Sequence, residues 1–210
     1  MSITSNRILS IYKSRNTIIS QLAELGYSIK EYDQFSINEI DAMTTNDQLD
    51  MLVSRESDGK KAYIKYLLNV KQFRKDNLDQ LIEDLYDIES VLEPSDTLII
   101  ISNEEPNDTM VARMKYLYDK NGTFIVMHNI KRLQFNLLEH ELVPKATILS
   151  EPELEELKKT YNIKSHRTQL PEIGRFDAQS LALCLRPGQV IKIARKSNTA
   201  LDSNYYRVCV

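Results

Sequence analysis

The sequence predicts an α/β protein of the α+β kind, built as two modules. The first is a mixed sheet flanked by helices over residues 1–136; the second is a small αβ module over residues 137–210. Three observations lead there. Helical and strand periodicities alternate through the first module. Thr97–Ser102 is a continuous apolar run, as a strand shows when both of its faces are covered. After Asn136 the pattern changes to extended segments around prolines and shorter helices. Charge divides at the same place. Residues 1–136 carry 16 basic and 21 acidic side chains and residues 137–210 carry 11 and 9, so the chain's −3 splits into −5 and +2.

Ile8, Leu9, Ile11, Ile18, Ile19, Leu22 and Leu25 recur near helical spacing, and Gly26 follows where a helix should stop. Ser36 with Glu39 is a capping box that opens a short helix to about Met43. Gln48–Arg55 and Lys61–Leu68 read as a hairpin, with Asp58-Gly59 as a type I′ turn and Ala62, Ile64, Tyr66 and Leu68 on one face. A helix over Asp76–Leu92 carries the stripe Leu78, Leu81, Ile82, Leu85, Ile88 and Leu92, and Pro94 ends it. Pro106 is expected to start a helix with Val111, Met114, Leu117 and Tyr118 inward, stopped at Asn121-Gly122. Thr123–His128 is the next strand.

In the second module Glu141-Leu142-Val143-Pro144 is expected to be extended, because residues before proline avoid the α region. Ser150 and Glu153 form another capping box for a helix to about Tyr161, acidic at its start and basic at its end. Gln169-Leu170-Pro171 is extended again, Asp177–Leu183 is a short helix, and Arg186-Pro187-Gly188-Gln189 is a turn. Val190–Ala194 and Tyr205–Val210 are strands.

Composition excludes several classes. A chain of 210 residues with 42% hydrophobic content can bury its own core. Two cysteines, Cys184 and Cys209, are too few for a disulfide framework. No apolar run approaches the ~20 residues of a membrane span, and residues 1–7 hold no apolar segment of a secretory signal. A soluble, intracellular protein with no membrane contact is expected. Neither module has the strongly basic face of a nucleic-acid domain, although Lys60-Lys61, Arg74-Lys75, Lys131-Arg132 and Arg195-Lys196 are local basic pairs.

The sequence carries few motifs of catalytic chemistry. The five glycines are scattered, so there is no phosphate loop, and there is no Gly-x-Ser-x-Gly nucleophile elbow. His128 falls in a strand and His140 and His166 in connections, and all three read as structural. Cys209 and Cys184 read as inert buried thiols. No cofactor, metal or catalytic residue is expected. The element order of residues 1–128 resembles a restriction-endonuclease-like core. Such nucleases hold Mg²⁺ with an acid on one strand and an acid-x-Lys triplet on the next. Lys65 stands in the right sort of place, but two residues earlier is Tyr63, and Asp58 lies in a turn. The resemblance therefore implies a nuclease-like scaffold without the nuclease site.

One ordered set of segments carries a stronger resemblance: His140-Glu141-Leu142-Val143-Pro144-Lys145, Ile148-Leu149-Ser150, Gln169-Leu170-Pro171, Arg186 to Ile193, Arg195-Lys196-Ser197 and Tyr206-Arg207-Val208-Cys209. This set resembles the fifth, jaw subunit of eukaryotic RNA polymerases, whose C-terminal module matches a small subunit of the archaeal RNA polymerase. In outline the first module resembles that family's N-terminal jaw domain, which is nuclease-like in topology. Ser102–Met110 falls where the family has a Thr-Pro-Ser-Ala-Met segment near downstream DNA; Pro106 and Met110 agree, and Asp108 replaces a small residue. The family's Leu-Pro-Arg-Ile with a following Asp-Pro is here Leu170-Pro171-Glu172-Ile173 with Asp177-Ala178. Ser165–Thr168 looks like an insertion, and Asn198–Asn204 replaces a shorter turn.

The resemblance implies a non-catalytic subunit, present in one copy in a hetero-oligomeric DNA-directed RNA polymerase. Residues 137–210 would be its assembly domain, docking on the largest subunit through Leu142, Val143, Pro144, Leu170, Pro171, Arg186, Gly188, Arg195 and Arg207. Residues 1–136 would be its jaw domain, with Lys60, Lys61, Pro106, Lys131 and Arg132 as light contacts to the backbone of downstream duplex DNA. The archaeal counterpart lacks the jaw domain, so a eukaryotic or viral source is implied. Drift in the connections favours the copy of a large eukaryotic DNA virus, placed in host cytoplasm and virion; a cellular copy would be nuclear. The rival readings are a metal-dependent nuclease and a free-standing adaptor protein.

Overall fold

The computed structural model describes residues 3–70, 73–196 and 201–210, which fall into two units, 1–136 and 137–210. Met1-Ser2 and Ser197 to Ala200, to which the sequence reading extends, lie outside the described residues. The chain is mixed α and β throughout, as the sequence predicts.

In the first unit the order is α1 (Ile3–Glu24), α2 (Ile37–Thr45), β1 (Met51–Ser54), β2 (Lys61–Leu67), α3 (Lys75–Ile82), β3 (Thr97–Ser102), α4 (Asp108–Asn121) and β4 (Phe124–Asn129). The sheet runs β1-β2-β3-β4, with β1 antiparallel to β2 and the other pairs parallel. All six residues of β3 are buried, so the apolar run has the two covered faces it predicts. Along β2, Ala62, Ile64 and Tyr66 are buried and alternate with half-buried residues. Ser36 and Glu39 close the capping box of α2 with Oε2 accepting from the Ser36 N–H at 2.7 Å. Gly122 ends α4 at φ +74, where a Cβ would be strained.

Four details differ from the sequence reading. The hairpin loop is wider than a two-residue I′ turn. Gly59 N–H bonds Arg55 O at 2.9 Å, and only Gly59 has positive φ. Asp58 instead steadies the loop by accepting from Arg55 Nε at 2.9 Å. The first strand starts at Met51, not Gln48, because its would-be ladder groups are diverted. The register places Leu49 opposite Tyr66, yet Leu49 O accepts from Arg15 Nη1 at 3.0 Å and Tyr66 N–H goes to Asp50 Oδ1 at 3.1 Å.

The helix predicted to Leu92 is α-helical only to Ile82. It then widens into a π-helical turn over Glu83–Ile88, and Ser90 leaves at φ +50. The slip keeps Leu78, Ile82 and Leu85 buried but turns Ile88 out to 69% exposure. The fourth helix starts at Asp108 rather than Pro106. Asn107 is its cap, accepting from the Met110 N–H at 2.9 Å, and Val111 and Tyr118 are only half-buried.

The second unit contains β5 (Lys145–Ile148), α5 (Glu151–Thr160), α6 (His166–Gln169), β6 (Glu172–Ile173), α7 (Ala178–Ala182), β7 (Val190–Lys196) and β8 (Asp202–Cys209). Its sheet runs β5-β7-β8-β6; β5 and β8 are antiparallel to β7, and β6 is parallel to β8. Leu154 and Leu157 of α5 pack on Val190 and Val208, with Leu149, Ile163, Leu170 and Tyr206 around them. Glu141 and Leu142 are not part of an extended arm: residues 140–143 form a turn, closed by Val143 N–H on His140 O at 2.9 Å. His166 lies in α6 rather than in a connection, Gln169 ends that helix rather than opening the extended segment, and its side chain accepts from the N–H groups of Lys164 and Ser165 at 2.7 and 2.9 Å. No helix among the described residues is long and apolar enough to cross a membrane.

His128 is buried in β4 with Nε2 unpartnered. Burial, then the nearby Arg132, pushes its pKa down to about 4. A depressed histidine stabilises the fold above the unfolded value near 6.5, and that stability is lost as pH falls toward 4. Between pH 7 and 5 the native protein should therefore lose about 2 kcal/mol more than His128→Leu does, read by urea unfolding. Equal losses would mean that His128 does not carry the acid sensitivity.

Candidate assembly interface

The β7–β8 pair organises the second unit. Its register sets Val190 opposite Val208, Ile191 opposite Arg207, Ile193 opposite Tyr205 and Arg195 opposite Ser203. Side chains alternate across a strand, so Arg195, Tyr205 and Arg207 share one face, while Tyr206 and Lys192 share the face that α5 covers. The Arg195 and Arg207 guanidiniums each lie 5.4 Å from the centroid of the Tyr205 ring. Arg207 is half-buried, and its Nε is buried without a hydrogen-bond partner. Neither arginine has an ion pair among the described residues. Two cations held on one aromatic platform can donate to a carboxylate through their terminal N–H groups.

The remaining predicted docking residues do not join this patch. Leu142, at 85% exposure, lies with Val143 and Pro144 on the approach to β5, one edge of the sheet. Pro144 O is held by Gln179 Nε2 at 3.1 Å. Leu170 and Pro171 lead into β6 at the opposite edge, about 14 Å away across three strand spacings. There Leu170 supports the α5 core cluster, and Pro171 O accepts from Val208 N–H at 2.9 Å. Arg186 opens the turn before β7 and is half-buried, its N–H bonded to Gln189 Oε1 at 2.8 Å. Gly188 is required by that turn: its φ is +89, and a Cβ there would meet Arg167 Nη2 at 3.0 Å. The Cys209 thiol donates to Leu185 O at 3.6 Å, and burial raises its pKa to about 11, as for an unreactive thiol.

The five basic and loop residues of the first unit are not gathered into one patch. Lys60 and Lys61 stand at the start of β2, whereas Pro106, Lys131 and Arg132 follow the far ends of β3 and β4, about 20 Å along the strands. Lys60 pairs with Asp58 at 3.6 Å and Lys61 Nζ turns to Val91 O at 3.3 Å. Arg132 pairs with Glu105 at 2.8 Å, and Lys131 is exposed.

The sequence reading finds no acid beside Lys65, but the fold supplies one. Asp50 Oδ2 takes Lys65 Nζ at 2.5 Å and the Tyr63 hydroxyl at 3.3 Å, while Oδ1 takes the Tyr66 N–H. Burial, then the Asp50 charge, pushes the Tyr63 phenol up to about 12. No local pattern marks Asp50, because it lies just before β1 and meets Lys65 only across the strand pair. Its donors are internal, so the group works as a clamp on the hairpin. Among the described residues no group of three or more His, Cys, Asp or Glu is placed to hold a metal ion.

The second unit has counterparts among known proteins. The family model described as RNA polymerase Rpb5, C-terminal domain, matches residues 135–209. DNA-directed RNA polymerase subunit Rpo5 of Thermococcus kodakarensis is 49% identical over 77 residues, which is 37% of this chain and 92% of that protein. The Rpo5 subunit of Archaeoglobus fulgidus is 42% identical over 78 residues, covering 37% of this chain and all of that protein. That of Nitrosopumilus maritimus is 45% identical over 80 residues, 38% of this chain and 94% of that protein.

Two substitutions test the geometry. Asp50→Ala leaves Lys65 Nζ and Tyr66 N–H without their acceptor, so urea unfolding should show a loss of about 2–3 kcal/mol; a loss within error would mean that Asp50 clamps nothing. Gly188→Ala places a β-carbon at positive φ beneath Arg167 and should cost about 1–2 kcal/mol. Arg167→Ala in the same background should relieve only the contact part of that cost, because the strained φ remains.

Proposed function

The chain belongs to the Rpb5/Rpo5 family of DNA-directed RNA polymerase subunits, and on that premise we propose that it serves its polymerase without catalysing. The observation that carries this reading is the extent of the match: the archaeal relatives are covered over 92% and 100% of their own length, and the family model matches residues 135–209. Residues 137–210 act as the assembly domain and dock on the largest subunit. Phosphodiester chemistry belongs to the large subunits. Residues 1–136 act as part of the jaw over downstream duplex DNA.

The geometry supports a specific division of the docking work. Arg195 and Arg207 receive carboxylates of the partner on the Tyr205 platform. The exposed Leu142 supplies apolar area at one sheet edge, and Pro171 stands at the other. Arg186 contributes at the turn. In the jaw domain Lys131 and Pro106 make the DNA-facing contact, and Arg132 joins them by exchanging its exposed Glu105 pair for phosphate. Lys60 and Lys61 lie at the other end of the sheet and do not share that contact. The drifted connections support a viral source, with the protein in host cytoplasm and virion; nuclear residence is the alternative.

A tagged pull-down from cells holding the native complex should recover the two largest polymerase subunits in equal amounts. A protein that runs alone at its own mass would sink the subunit reading. Arg195→Ala and Arg207→Ala should each weaken binding to the largest subunit by about tenfold, or about 1.4 kcal/mol, with the fold intact by circular dichroism. An assay for Mg²⁺-dependent DNA cleavage should stay blank, and cleavage abolished by Asp50→Asn would overturn the non-catalytic assignment.

A further inference from the structure

The α5 side of the β7–β8 pair holds a pocket distinct from the Arg195–Arg207 platform. It has a volume of about 280 Å³, and its wall includes Glu153, Glu156, Leu157, Tyr161, Lys192 and Tyr206. The Tyr161 and Tyr206 rings stand 6.2 Å apart at 59°, forming an aromatic corner, and Tyr161 is 62% exposed. An exposed aromatic beside a cavity leaves apolar surface and a negative ring face open to a partner.

The charges of the pocket do not cancel in place. Glu153 is already occupied: its carboxylate accepts from the Ser150 N–H at 2.8 Å and the Ser150 hydroxyl at 2.6 Å. Lys192 stands near Glu153 and helps to hold its pKa down, after those hydrogen bonds. Glu155, the neighbour in sequence, is paired with Lys158 at 2.7 Å. Glu156 has no ion pair among the described residues. It lies close enough to Tyr206 to add to the rise in that phenol's pKa that burial and Tyr161 cause. The pocket thus combines two ring faces with Glu156, which no ion pair holds, and Glu153, Glu156 and Lys192 together leave it one net negative charge.

A planar guanidinium fits both features at once. It stacks on aromatic faces, is weakly hydrated, and pairs with a carboxylate through its fork of N–H donors. Phosphate would be repelled by Glu156, and a purely apolar side chain would leave that carboxylate unanswered. We propose that this pocket receives an arginine side chain from a neighbouring protein chain of the polymerase, stacked at Tyr161 and Tyr206 and paired with Glu156. The proposal rests on the subunit reading and adds a second, oppositely charged contact on the other face of the same strand pair.

The test uses the assembled polymerase, with a photoreactive benzoylphenylalanine in place of the exposed Thr160 on the pocket rim. Illumination should crosslink it to another polymerase chain within a few residues of an arginine. Glu156→Gln and Tyr161→Ala should each weaken retention of the subunit at moderate salt several-fold, while Tyr161→Phe, which keeps the ring, should not. Crosslinks confined to the subunit itself in an intact polymerase would overturn the pocket proposal and leave the subunit reading standing. So would unchanged retention of Glu156→Gln and Tyr161→Ala. Recovery of no polymerase chain even with the native sequence would overturn both.

Discussion

The antiparallel register of β7 on β8 is the constraint on which the second unit depends. Setting Val190 against Val208 gives α5 an apolar surface for Leu154 and Leu157. The same register puts Arg195, Tyr205 and Arg207 on one face and Tyr206 with Lys192 on the other. A slip of one residue would send each set to the wrong face, because the side-chain period of a strand is two. Val190 and Val208 are buried on the α5 face and Ile191 and Ile193 on the other, and the charged residues take their faces from the same register.

The two faces that result have opposite character. One offers paired guanidiniums to acidic groups; the other offers an aromatic corner and a carboxylate to a basic group. Complementary charges at an assembly contact set register and reject wrong partners more than they add raw affinity. The edge segments around Leu142 and Pro171 lie too far apart for a single small contact, so a partner that uses both must cross the sheet or embrace it.

In the first unit Asp50, just before β1, meets Lys65 of β2 and accepts from Lys65, the Tyr63 hydroxyl and the Tyr66 N–H. The buried Arg15 takes Leu49 O and sits against the rings of Tyr32 and Phe35, at 5.8 and 5.3 Å. Between them these groups end the β1–β2 ladder at Met51. Side chains have replaced backbone partners there: Arg15 donates to Leu49 O and Asp50 accepts from the Tyr66 N–H, while Arg15 Nε and the Tyr66 hydroxyl are buried without a hydrogen-bond partner.

By itself the sequence determined the features that arise from nearest neighbours. Apolar periodicity marked α1 and β2, a continuous apolar run marked β3, the capping boxes at Ser36 and Ser150 marked α2 and α5, and Gly122 marked a stop. The ordered segments from His140 to Cys209 also marked the family. Only the tertiary structure decided the rest. The widening of α3 after Ile82 follows from where Leu85 is buried. The meeting of Asp50 with Lys65 and the separation of Lys60 from Arg132 depend on which strand pairs with which. So do the shared platform of Arg195 and Arg207 and the corner made by Tyr161 and Tyr206. A local pattern says which face a side chain takes on its own strand; only pairing between distant segments says what it will find there.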